Sequence, residues 1–333
     1  ESHVPNWRDC RNAEPEKKPA WLTPAVNELA NNVMTRINRA AALNGMALSS
    51  LCLLSSKTHT MSEAELKQSM GDFVALFNTV PFSDDATIPD LSVDDLYAET
   101  MKLGRFDIKE DDYGRLISPQ PKSAIYLTYY RNNILHLFAL PGLIMACVFA
   151  HKGTSKNAIL QLIAALYPLL QRELFLHLSQ DEALSHTDAL VTALLDLGLL
   201  RQKGDDLLPP GAQQKQFHSA WLLSRCMQET LQRYAVVLTI LDREKTISRS
   251  TLERTSKQVA ERLSTLYGLS SPEFYDKNVL SSFISALKDN HWLDSAEDGS
   301  LKYSEECEGL REDVMALIWP EMAQHLENVA FHH

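Results

Sequence analysis

The stretch LDLGLLRQKGDDLLPP, Leu195 to Pro210, decides the fold. An apolar helical ending reaches Gly198, and two leucines follow. A polar run then turns through Gly204 and Asp205, and Leu207 and Leu208 lead the chain back before two prolines. Short apolar arms around a Gly/Asp turn predict a small β-hairpin. The pattern occurs twice more, as MKLGRFDIKEDDYGRLIS (Met101 to Ser118) and LKDNHWLDSAEDGSLKYS (Leu287 to Ser304). Upstream of each hairpin, a Ser/Thr-capped amphipathic helix starts near Ser62, Thr154 or Ser248. Further upstream lies a long apolar helix, over Thr23 to Ser55, Ala124 to Ala150 and Phe217 to Leu241. Helix, helix, helix, hairpin is the outline of a winged-helix unit, and three copies make a repeat. The expected fold is therefore mainly α: a helical array of three winged-helix-like units, each with a small β-hairpin. The units span 23–118, 119–211 and 212–333 and form one compact domain behind a polar, Pro-rich arm at 1–22.

Composition supports this class. The 333 residues are 45% hydrophobic, enough for a substantial core, and contain only 12 glycines. The net charge of -11 repels a phosphate backbone, which argues against non-specific nucleic-acid binding. The five cysteines, Cys10, Cys52, Cys147, Cys226 and Cys307, are odd in number and widely scattered, with no CxxC. That suits reduced thiols in a cytosolic compartment rather than a disulfide framework or a zinc site. The N-terminus lacks an initiator Met and a signal-peptide pattern, so it reads as the interior of a longer polypeptide.

One break in composition stands out. Tyr113 to Arg172 holds no Asp or Glu, where an even spread of the 43 acids would place about eight. The window carries Arg115, Lys122, Arg131, Lys152, Lys156 and Arg172. At its centre, TYYRNNILHLFALPG (Thr128 to Gly142) sets Tyr129, Tyr130, Arg131, Asn132, Asn133 and His136 at the mouth of an apolar run. These six are the candidate binding residues, for docking or for a phosphate contact, since an arginine can hold an anion bidentately. Two readings stay open. A docking or lipid-facing surface would leave Arg131 partly exposed beside Leu137 or Phe138. A plain core would bury Arg131 against carboxylates from elsewhere in the chain. The number of missing acids favours the first. Ile134 to Ala150 is at the lower limit for a bilayer of about 30 Å, but His136, Pro141 and Gly142 point to a core helix kinked near Pro141.

The familiar chemical signatures are missing. No GxSxG, GxxxxGK[ST], GxGxxG or HExxH occurs. The cluster His177, Asp181, Glu182, His186 and Asp188 has metal-ligand residue types, yet Ser179, Ser185 and Thr187 beside it are helix-capping residues. Capping and solvation account for it, and no metal or cofactor is expected.

Six strings carry a family resemblance: HVPNWR (His3 to Arg8), PAWLTPAVNELANNVMTRIN (Pro19 to Asn38), TYYRNNILH (Thr128 to His136), LYPLLQRELFL (Leu166 to Leu176), ETLQRYA (Glu229 to Ala235) and VAERLSTLYGLSSPEFYDK (Val259 to Lys277). In this order they resemble the C-terminal half of bacterial membrane-bound glycerol-3-phosphate 1-O-acyltransferase. The resemblance implies a parent enzyme that moves an acyl group from acyl-CoA or acyl-carrier protein to glycerol 3-phosphate. The product, lysophosphatidic acid, feeds phospholipid biosynthesis. It also implies a place at the cytoplasmic face of the bacterial inner membrane, peripheral or monotopic, with this chain soluble when isolated. The family's catalytic motif is HxxxxD, a general-base histidine oriented by an aspartate. Each of the eleven histidines lacks an aspartate five residues on. The resemblance therefore implies a non-catalytic C-terminal domain, inactive alone, whose partner is the N-terminal acyltransferase domain of the same polypeptide. The arm at 1–22 would lead to that domain, a membrane surface is a further partner, and nucleic acid is not. The competing reading is a free-standing winged-helix-like adaptor that binds protein or nucleic acid.

Overall fold

The computed structural model describes residues 19–120, 123–269 and 271–331. The arm expected over 1–22 falls largely outside these, as do Cys10 and Lys122. The first helix, α1 (Leu22–Arg39), precedes three similar groups of elements. The first group is α2 (Gly45–Ser55), β1 (Met61–Ser62), α3 (Glu63–Thr79), α4 (Val93–Lys102), β2 (Phe106–Asp111) and β3 (Gly114–Pro119). The second is α5 (Ala124–Asn132), α6 (Ala139–His151), β4 (Thr154–Ser155), α7 (Lys156–Leu174), α8 (Gln180–Asp196), β5 (Arg201–Lys203) and β6 (Asp206–Leu208). The third is α9 (Phe217–Arg225), α10 (Gln228–Glu244), β7 (Thr246–Ile247), α11 (Arg249–Tyr267), α12 (Lys277–Asp289), β8 (Leu293–Ser295) and β9 (Leu301–Tyr303). Two further helices, α13 (Glu305–Leu317) and α14 (Pro320–Phe331), follow the last hairpin.

The hairpins lie where the three endings place them. Each gains a third, two-residue strand from earlier in its group, in the orders β1-β3-β2, β4-β6-β5 and β7-β9-β8, all antiparallel. That short strand runs straight into a helix through a serine cap. Ser62 accepts from the Glu65 amide while the Glu65 carboxylate accepts from the Ser62 amide, closing a capping box. Ser155 and Ser248 do the same half of the work for α7 and α11.

The hairpins also share a backbone device. The helix before each one ends on a left-handed residue: Gly104 (φ 62°), Gly198 (φ 73°) and His291 (φ 61°). Glycine takes this conformation at little cost, which accounts for two of the three LG/LG/NH endings. The reversal then delivers one apolar side chain inward, Phe106, Leu200 or Leu293, and the returning strand adds Ile117, Leu207 or Leu301. All six are buried.

The three long opening helices expected from sequence are each broken. Asn44 caps α2 and separates it from α1. Asn133 closes α5, and a 3-10 turn at Leu135–Phe138 leads into α6, with a bend of 64° between the two helical arms. The bend lies upstream of Pro141, not at it. Pro141 is the third residue of α6, where a missing amide proton breaks no hydrogen bond within the helix. A third break, at Cys226 and Met227, separates α9 from α10. Among the described residues no single helix is long and apolar enough to cross a membrane, though the bent pair α5 and α6 passes by length and composition.

The central helices α2, α6 and α10 are buried on nearly every side, and in α2 and α6 the apolar residues show no one-sided stripe. Each carries the opening helix of the next group: α5 packs on α2, α9 on α6, and α13 on α10. Gly142 permits one such approach, since a Cβ there would lie 2.5 Å from the Cys226 Sγ. The groups also meet ring to ring, with Phe73 and Phe138 5.3 Å apart between centroids.

Candidate functional site

A cavity of about 230 Å³ lies where the break after α5 meets the start of α10. Arg131 and Asn132 end α5, and Glu229 begins α10. Glu173 comes from the last turn of α7, and Ser271 and Glu273 from the segment after α11. Met34 and Asn38 of α1 form part of its rim.

Arg131 is only 5% exposed. Its Nη2 donates to Glu229 Oε2 at 2.8 Å and to Asn132 Oδ1 at 3.1 Å. Asn132 Nδ2 in turn donates to Glu273 Oε1 at 2.9 Å, and the Ser271 hydroxyl donates to Glu273 Oε2 at 2.7 Å. Helix dipoles assist, because Arg131 sits in the last turn of α5 and Glu229 in the first turn of α10. A second buried pair, Arg233 with Glu173, lies beside the first, and Arg233 also donates to Thr230 Oγ1 at 3.0 Å. Burial pushes the Glu229 carboxyl up, but the charge and hydrogen bond of Arg131, with help from Arg233 and Ser271, pull it further down. It ends below the ordinary carboxylate value.

His136 is buried, and its Nε2 donates to the Asn38 carbonyl at 2.9 Å. Burial pushes its pKa down to about 4, so the ring is neutral at pH 7. Its neighbours are the Phe82 ring and the cavity wall, and among the described residues no carboxylate orients it. Of the other sequence candidates, Tyr129 and Asn133 are exposed and Tyr130 is half-buried against the core. The six residues therefore divide between the cavity (Arg131, Asn132, His136) and the outer side of α5.

The acid-free window is not an uncompensated cationic surface. Arg131 pairs with Glu229, Arg115 with Glu63 and Glu110, Lys156 with Asp188, and Arg172 with Asp289. Every one of those acids lies outside the window. The expected exposure of Arg131 is likewise overturned, and Leu137 and Phe138 are buried rather than forming a patch. Residues 134–148 of the window pack into the interior, where acids are unwelcome, and the paired cations on either side draw their counter-charges from other elements. Among the metal-like residues, Glu182 forms a capping box for α8 with Ser179, and His177 meets the Phe82 ring edge to face.

Reading residue by residue missed Glu173, Glu229, Arg233, Ser271 and Glu273. One signal could have found them. They fall in LYPLLQRELFL, ETLQRYA and VAERLSTLYGLSSPEFYDK, while Arg131, Asn132 and His136 fall in TYYRNNILH and Asn38 closes PAWLTPAVNELANNVMTRIN. Strings far apart in sequence thus converge on one cavity.

The convergence agrees with the comparisons. Residues 1–296 match the family described as glycerol-3-phosphate acyltransferase C-terminal region, and the chain belongs to that family. A glycerol-3-phosphate acyltransferase of Alteromonas mediterranea is 85% identical over 330 residues, covering 99% of this chain and 40% of the relative. One from Pseudoalteromonas atlantica is 52% identical over 329 residues, covering 99% and 41%. The chain therefore spans about two-fifths of the length of the curated relatives it matches.

Proposed function

We propose that this chain is the non-catalytic C-terminal part of a glycerol-3-phosphate acyltransferase and that it packs on and supports the catalytic domain. The whole enzyme would transfer an acyl group from acyl-CoA or acyl-carrier protein to glycerol 3-phosphate at the cytoplasmic face of the bacterial inner membrane. The observation that carries this reading is the character of the cavity. Five of the six strings that mark the family meet there, yet they form ion pairs and hydrogen bonds with one another, and no histidine has an aspartate partner at the HxxxxD spacing.

Charge balance favours architecture over a phosphate contact. Arg131 and Arg233 face Glu173, Glu229 and Glu273 across the cavity, and His136 is neutral. A phosphate dianion entering there would meet more negative than positive charge. Titrating glycerol 3-phosphate into the 333-residue chain should give no saturable heat at about 1 mM ligand, the level at which a binding energy of about 4 kcal/mol would register. Saturable binding that Arg131→Gln removes would return the cavity to substrate recognition.

We infer that the three groups of elements are winged-helix units. Their strand order and capped second helices support that reading. The adaptor alternative draws on the same outline, but the first hairpin carries Asp107, Glu110, Asp111 and Asp112, a poor surface for nucleic acid.

A further inference from the structure

The repeat leaves one helix without its partner. In the second and third groups the opening helix lies on the buried central helix of the group before, α5 on α2 and α9 on α6, and α13 lies on α10 in the same way. Helix α1 stands before the central helix α2 as α5 stands before α6 and α9 before α10, and no earlier central helix exists among the described residues.

Its surface shows the vacancy. None of its residues is buried. Val26, Leu29, Val33 and Ile37 follow each other at spacings of three and four, so they share one face. That face is open, with Leu29 63% and Ile37 57% exposed. The side towards the body is more polar: Asn31 and Thr35 line a groove with Gln171 and Arg172, beside Ala30 and Phe175. The Asn38 amide donates to the Leu174 carbonyl at 2.6 Å, and Arg39 pairs with Asp85 at 3.0 Å. A surface helix ordinarily turns its apolar face inward. This one is reversed, and an exposed apolar stripe of this kind marks a site of contact.

We propose that the stripe of α1 seats an apolar helix from the part of the polypeptide that precedes residue 1, placed on α1 as α2 is placed on α5. This rests on the reading of the chain as a C-terminal part. The curated relatives are matched over about two-fifths of their length by a region described as C-terminal, so most of each polypeptide is available to supply that helix. A lipid surface fits less well. Helices that lie on membranes carry Lys and Arg along the polar face, whereas α1 has no Lys and two Arg, both in its last turn, one of them held by Asp85. A second copy of α1 fits less well too, because every opening helix elsewhere in the chain packs on a central helix that is buried on all sides.

The test uses the full-length polypeptide with a photo-crosslinking benzoylphenylalanine at Val26. Illumination should join it, within one polypeptide, to a segment upstream of residue 1. Leu29→Asp with Val33→Asp should cut that yield by about tenfold, as expected for residues at the centre of a contact. The same pair of changes should leave the melting temperature of the 333-residue chain unchanged, since the stripe is bare there. Crosslinks to a second copy, to lipid, or to no partner would each overturn the proposal. Acyl transfer is measured on the same preparation. Turnover without the crosslink would sink the docking face and leave the functional reading standing, and the crosslink without turnover would do the reverse.

Discussion

Arg131→Ala is expected to destabilise the chain by about 3 kcal/mol at neutral pH, the low end of the roughly 3–5 kcal/mol that follows removal of one partner from a buried ion pair. The low end applies because the Glu229 side chain keeps 19% of its surface and also feels Arg233. The loss should depend on pH. In the native chain the pair holds the Glu229 carboxyl below its ordinary value of 4.5. Its contribution is therefore present above that value and lost as pH falls through the lower, folded one. In Arg131→Ala the main downward pull is gone and burial dominates, so the carboxyl takes up a proton at higher pH. The difference between variant and native chain should then shrink as pH falls from about 7 towards 4.5. Urea denaturation at the two pH values measures it. A change below about 0.5 kcal/mol at neutral pH, the range of ordinary surface substitutions, would show that the pair is not buried as described.

Phe138→Ala should cost about 3–5 kcal/mol, the range for deleting a buried aromatic ring. Phe138 is 1% exposed and lies at a junction of all three groups. Its ring packs against Phe73 of α3, and its carbonyl accepts from the Cys226 thiol at the break before α10. A cavity at that point loosens every group at once. Scanning calorimetry should show one transition that moves down by several degrees, as about 2–4 °C per kcal/mol is usual for larger domains. Two resolved transitions, with only one displaced, would mean that the groups fold separately.

The sequence made the hairpins legible because each rests on local chemistry: a left-handed residue after a helix, a polar turn, and a buried apolar side chain on each arm. The serine caps at Ser62 and Ser248 were legible for the same reason, and the cap of α7 falls on Ser155, one residue beyond the expected Thr154. The breaks in the opening helices were not. Helices α2 and α6 are apolar around nearly their whole circumference, so hydrophobic periodicity carries no marker of where they begin, and in α10 the buried face mixes apolar with polar residues. The bend before α6 therefore had to be assigned to the obvious candidate, Pro141, when the Asn133 terminus of α5 and the 3-10 turn produce it. The setting of Arg131 was hidden by distance, because its carboxylate partner is 98 residues away. A local count of acids then misread a segment whose arginines pair with carboxylates from other elements as a cationic surface. Family likeness reached further than local chemistry here, since the strings that carry it hold both halves of the buried network.

Acyl transfer itself tests the account most directly. The 333-residue chain and the full-length polypeptide would be incubated side by side with labelled glycerol 3-phosphate and acyl-CoA, and the lipid product counted. The full-length polypeptide should form lysophosphatidic acid, while the chain alone, with no aspartate five residues after any histidine, should stay at the buffer level. Turnover by the isolated chain would contradict its assignment as the non-catalytic part of the enzyme.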